Sequence, residues 1–126
     1  MTESNGFENC PLKSMEGLIL STVERDEECH TFFLIFENAC LACNCLFETV
    51  PGDLHLESLI GKSVIKVEQK EFKFIDISFS NEELLRLDIL TPDGYDDYAP
   101  EKLQFVNNRV NPPIDVIVTN EDLCIW

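Results

Sequence analysis

The sequence predicts a mainly β (β-rich α+β) domain. Its core is an antiparallel sheet made from two similar three-stranded meanders and a C-terminal hairpin, with one or two short helices. Three observations predict this. Apolar and polar residues alternate with period two, as in Ile75, Ile77 and Phe79 against Asp76, Ser78 and Ser80. That spacing gives a strand one buried face and one wet face. Turn-forming residues recur at short intervals, so the strands are short. The chain also echoes itself: Leu12/Leu56, Ser14/Ser58, Met15/Leu59, Gly17/Gly61, Val23/Val67 and Glu24/Glu68 all stand 44 positions apart. After a one-residue shift Phe32, Leu34 and Phe36 align with Ile75, Ile77 and Phe79, Asn38 with Asn81, and Leu41 with Leu84. The 126 residues are the length of one domain with a core of its own. The expected organisation is one domain over 1–126, with an internal repeat at 12–46 and 56–90.

The elements follow in order. Short helices are expected at 10–16 and 54–60. Each precedes a glycine, Gly17 or Gly61, suited to a helix C-cap or a tight entry into a strand. Residues 18–23 read as a strand and 24–28 as its connection. Thr31–Phe36 is apolar on both faces, which places it centrally in a sheet or under cover on both sides; Glu28 and Glu37 flank it as gatekeepers. Glu37 and Asn38 turn the chain into a strand over 39–47. In the second unit Val64, Ile65 and Val67 form the first strand and 75–79 the second. Ser80, Asn81 and Glu82 supply a turn, and Leu85, Leu87 and Ile89 mark the third strand. Two prolines and an Asp-Gly make 91–100 a loop. Strands are expected at 103–106 and 115–119, and 123–126 pairs with the latter as the closing hairpin.

Charge narrows the function. Asp and Glu number 24 against 9 Lys and Arg, a formal net charge of −15. The excess runs through both halves: eleven acids and two bases over 1–61, thirteen acids and seven bases over 62–126. Such a surface repels phosphate backbones and anionic membranes, so neither direct nucleic-acid nor membrane binding is expected. It attracts basic proteins through salt-sensitive steering. The longest apolar run, Phe32 to Phe36, is far short of the roughly 20 residues of a membrane helix. The first residues, Met-Thr-Glu-Ser-Asn-Gly-Phe-Glu, lack the basic and apolar regions of a secretory signal, so a cytoplasmic location is expected.

Chemistry-bearing residues do not assemble into a motif. The six cysteines are Cys10, Cys29, Cys40, Cys43, Cys45 and Cys124. Cys40 and Cys43 form a C-x-x-C, half of a zinc site, but no second half with that spacing follows. Period two turns Cys43 and Cys45 to one face and Cys40 to the other, which makes poor co-ligands. Buried reduced thiols are expected, with no metal and no cofactor. His30 and His55 are the only histidines. Neither a nucleophile elbow, a P-loop, a dinucleotide-binding glycine pattern nor an H-E-x-x-H occurs, so no enzymatic activity is expected. Asp93, Asp96 and Asp97 lack the spacing of a calcium loop. With Tyr95, Tyr98 and Glu101 they form the expected partner-binding set, in which aromatic rings supply buried area and carboxylates pair with Lys or Arg of a partner.

The order Gly61-Lys62…Val67, then Ile75-x-Ile77-x-Phe79-x-Asn81, Leu85-x-Leu87 and Tyr98-Ala-Pro-Glu101-x-Leu103 resembles small acidic bacterial immunity proteins. These are encoded beside polymorphic or contact-dependent toxins. The resemblance covers roughly residues 56–105, and the Cys-rich strand at 40–45 has no counterpart in it. It implies a protein that binds and neutralises one cognate basic toxin, often a nuclease, by occluding its active site with acidic side chains. The alternative is an acidic adaptor, or a mimic of nucleic-acid charge that inhibits several DNA-binding proteins.

Overall fold

The computed structural model describes residues 11–26, 31–50, 52, 55–70, 74–89 and 101–119. Nine strands fill most of this: β1 (Leu20–Asp26), β2 (Thr31–Phe36), β3 (Ala39–Cys43), β4 (Leu46–Val50), β5 (Val64–Lys70), β6 (Phe74–Phe79), β7 (Leu84–Asp88), β8 (Glu101–Asn107) and β9 (Ile114–Thr119). All the strand pairs are antiparallel. The helical elements are two 3-10 turns, Pro11–Met15 and Leu56–Leu59. The mainly β architecture with two meanders therefore holds, and each short helix is a single 3-10 turn ahead of its glycine.

The meanders β1-β2-β3 and β5-β6-β7 are laid out alike. Leu20 faces Phe36, a bulge lies between Leu20 and Thr22, and pairing resumes through to Asp26 opposite Thr31. Val64 faces Phe79, a bulge lies between Val64 and Lys66, and pairing resumes through to Lys70 opposite Phe74. Gly17 and Gly61 both hold positive φ, +94° and +90°, a conformation that costs a side chain but not glycine. Each opens a reciprocal seam between the two units. Gly17 N–H donates to Val64 O at 2.7 Å and Gly61 N–H to Leu20 O at 2.8 Å; Leu20 N–H donates to Lys62 O at 3.0 Å and Val64 N–H to Leu18 O at 2.8 Å. The echo at 44 positions is thus a set of equivalent bonds as well as similar letters. Ser14 and Ser58 repeat it, each hydroxyl donating to the carbonyl three residues back, of Pro11 at 2.8 Å and His55 at 2.6 Å.

The fourth strand of each unit crosses to the other unit's sheet. Sheet order is β1-β2-β3-β8-β9 and β4-β7-β6-β5. This corrects two readings of the sequence. The 39–47 segment is not one strand: it breaks at Asn44 and Cys45, so that β4 can pair with β7. Strand β1 continues to Asp26 instead of ending before 24, because Glu24 and Arg25 are in register with Phe33 and Phe32. The C-terminal hairpin of the described residues is β8-β9, while 123–126 and the 91–100 loop lie outside them.

The two sheets share one core. Leu34, Leu41 and Phe105 from one sheet and Ile75, Ile77, Leu85 and Leu87 from the other are fully buried in the same cluster. A fully buried side chain of this size contributes about 2 kcal/mol. Leu12 and Met15 of the first 3-10 turn and Leu56 and Leu59 of the second enter that cluster. The first turn is pinned on β5: Lys13 Nζ donates to Val67 O at 2.9 Å, and the Glu16 carboxylate accepts Val67 N–H at 2.8 Å. Ser14 also accepts from the buried Asn107 amide at 3.1 Å, tying the turn to β8.

Candidate functional site

Of the expected partner-binding residues, Asp93, Tyr95, Asp96, Asp97 and Tyr98 lie outside the described residues. Glu101 is the first residue of β8, its backbone paired with Thr119 of β9. Strand β8 belongs to the five-stranded sheet. The cysteines separate as the alternation requires: Cys43 and Cys45 are buried, and Cys40 is half-buried on the other face of β3. Burial, then the neighbouring Cys45 and Cys40, push the Cys43 thiol well up. Burial and the Glu24 carboxylate push Cys40 up as well. Both resist forming the thiolate that a metal or an electrophile would need. Cys10, Cys29, Cys124 and His30 lie outside the described residues, and among the described residues no group of three metal-ligating side chains converges. No helix among them is long and apolar enough to cross a membrane.

What the fold does present is two outer sheet faces, and on the four-stranded one Phe74, Leu84 and the exposed Val50 accompany the charged residues. Cross-strand partners share a face, so register assigns them. The outer face of β4-β7-β6-β5 carries the row Glu48, Arg86, Asp76 and Glu68. Arg86 clamps Asp76 with two bonds, Nε to Oδ1 at 2.7 Å and Nη2 to Oδ2 at 2.8 Å. Its Nη1 stands 3.9 Å from Glu48, and its guanidinium lies 4.6 Å from the centre of the Phe74 ring. Asp76 ends up only 2% exposed. The sequence reading put it on the wet face; register does so too, but the Arg86 plane roofs it. Glu68 holds Lys66 at 3.0 Å and Lys70 at 3.4 Å, and the Lys66 hydrogen bond keeps the Glu68 carboxyl below its ordinary value. A cleft of about 280 Å³ beside this row is lined by Phe47, Glu48, Phe74, Arg86 and Asp88. On this face cations and carboxylates answer one another.

The outer face of the five-stranded sheet is different. One row across it reads Thr22, Ile35, Cys40, Val106, Asp115, and the next Glu24, Phe33, Ala42, Gln104, Ile117. The middle of both rows is mainly apolar and half-buried, and Ile117 at the edge is 46% exposed. Glu24 and Asp115 stand at opposite margins. Among the described side chains, neither row holds a Lys or an Arg.

Charge pairing across the molecule explains where the net charge resides. Lys13 pairs with Glu16, Arg25 with Glu57, Lys66 and Lys70 with Glu68, Arg86 with Asp76 and Glu48, and Arg109 with Glu37. Six of the seven cations whose side chains are described are thus engaged within the molecule. Comparison with protein-family models, with curated proteins and with solved structures finds no match.

Proposed function

We propose that this chain is an immunity-type inhibitor that binds and neutralises one basic bacterial toxin domain, a nuclease by preference, by covering its active site with acidic surface. The observation that carries the reading is the pairing of cations. Six of the seven described cations are held by the chain's own carboxylates, and the chain carries a surplus of fifteen negative charges. Such a field accelerates encounter with a basic partner and rejects acidic ones. The segment bearing Asp93, Tyr95, Asp96, Asp97, Tyr98 and Glu101 belongs to the proposed interface.

The test is co-purification with the C-terminal domain of the protein encoded directly upstream. The expected result is a one-to-one complex whose association slows steeply with added salt, with nuclease activity lost at equimolar protein. An unrelated basic nuclease is the control. Inhibition of both enzymes would favour charge mimicry over immunity; absence of any complex would remove the proposal.

A further inference from the structure

We infer that the Lys13–Glu16 pair is an edge cap, which fills hydrogen-bonding groups of β5 in place of a neighbouring strand and so keeps a second copy of this chain from pairing there. Among the described residues β5 is the last strand of the four-stranded sheet. An edge strand offers backbone N–H and C=O groups that template association with another chain. At Val67 both groups are taken. The Lys13 ammonium donates to the Val67 carbonyl at 2.9 Å, and the Val67 amide donates to the Glu16 carboxylate at 2.8 Å. The two side chains hold each other at 3.0 Å. One donor and one acceptor, joined by their own ion pair, thus supply what the residue opposite Val67 on a further antiparallel strand would supply. Leu12 and Met15, fully buried, fix the turn that carries them.

The charges of β5 itself identify the excluded occupant. Antiparallel pairing of two copies about a two-fold axis at Val67 sets Lys66 of each copy opposite Glu68 of the other. Both cross-strand pairs are then of opposite sign, which favours that register. Val67 would exchange both backbone bonds with its counterpart, through the groups that Lys13 and Glu16 hold. The pairing would run from Ile65 to Gln69, because Gly17 and Leu18 already bond Val64. The other unit of the repeat supplies the contrast. Its residues 44 positions on from Lys13 and Glu16 are Glu57 and Ile60. Glu57 turns to Arg25 at 3.1 Å, and Ile60 has no side-chain acceptor to offer. The strand equivalent to β5 is β1, where Thr22 and Glu24 flank Val23. Two copies of β1 centred on Val23 would find no ion pair, so the cap stands on the strand that is self-complementary.

The experiment compares the full chain with its Lys13→Ala, Glu16→Ala double variant. Amide hydrogen exchange reads the cap directly. Val67 is expected to exchange about tenfold faster or more in the double variant, since an edge amide without its acceptor opens locally. Val64, held by Leu18, should keep its rate. Sedimentation is run at about 0.15 M salt, where a Debye length of ~8 Å screens the net repulsion more than adjacent pairs. The wild-type chain is expected to stay monomeric, and the double variant to form a dimer that grows with concentration. Adding Lys66→Glu should abolish that dimer, and Lys66→Glu with Glu68→Lys should restore it, because the swap returns opposite signs to both pairs. If the double variant does not fold by circular dichroism, Glu16→Ala alone takes its place in every arm. Unchanged Val67 exchange, a capless variant that stays monomeric, a dimer indifferent to Lys66→Glu, or a dimeric wild-type chain would each overturn the inference.

Discussion

At the residue scale, the Asp76–Arg86 pair shows how far one contact can alter a reading. Period two assigns Asp76 outward, and outward Asp is ordinarily solvated. Register decides otherwise, because Arg86 on β7 faces Asp76 on β6 directly and closes over it with two charge-assisted bonds. A carboxylate that is 2% exposed depends on its partner. Removing one member of such a pair strands the other, at a cost of about 3 kcal/mol, whereas replacing both with apolar residues removes the penalty. Arg86→Leu is therefore expected to lower urea-denaturation stability by about that amount. Asp76→Leu with Arg86→Leu should recover most of it. A double variant as unstable as the single one would show that Arg86 acts through its stacking on Phe74 instead.

At the element scale, the two glycines are the entry points of the repeat. Gly17 and Gly61 have open space where a Cβ would stand, so crowding does not require glycine. Backbone conformation does, since φ near +90° is disfavoured for an L side chain by about 1–2 kcal/mol. Gly17→Ala and Gly61→Ala are each expected to destabilise by that much and by similar amounts, since both carry equivalent seam bonds. Thermal melts of the two variants measure this. Equality of the two losses is the sharper test, because an asymmetric seam would break it. The 3-10 turns ahead of these glycines also differ in their anchors: Lys13 reaches Val67 O, while Glu57, at the equivalent position, holds Arg25 at 3.1 Å. The same local geometry is tied down by opposite charges.

At the scale of the molecule, stability reflects a contest between paired and unpaired charge. Exposed pairs are worth about 0.3–0.5 kcal/mol each and weaken with salt. Repulsion among a surplus of fifteen negative charges also weakens with salt, in the stabilising direction. The long-range surplus outweighs the few short pairs, so the melting temperature at pH 7 should rise as sodium chloride goes from about 0.01 to about 0.15 M, where the Debye length falls from ~30 to ~8 Å. A fall would mean that the pairs dominate. Acid works on the pairs separately. Glu57, through a hydrogen bond with its own backbone and then Arg25, and Glu68, through Lys66, have carboxyls held below the ordinary 4.5. Their contribution is complete above that value and disappears as pH falls through the lowered one.

The sequence by itself determined the β class, the two meanders, the turns, the alternation that separates Cys40 from Cys43, and the acidic excess. All of these are local or additive properties: period, turn chemistry and the sum of charges along the chain. Tertiary structure alone decided the exchange of β4 and β8 between the sheets, the continuation of β1 through Glu24 and Arg25, and the burial of Asp76. It also decided which side chains share an outer sheet face. Each of these depends on which strand lies beside which. Residues such as Cys40 and Val106, 66 positions apart in the sequence but paired across β3 and β8, become one surface only when distant strands pair, and no local pattern records that neighbour.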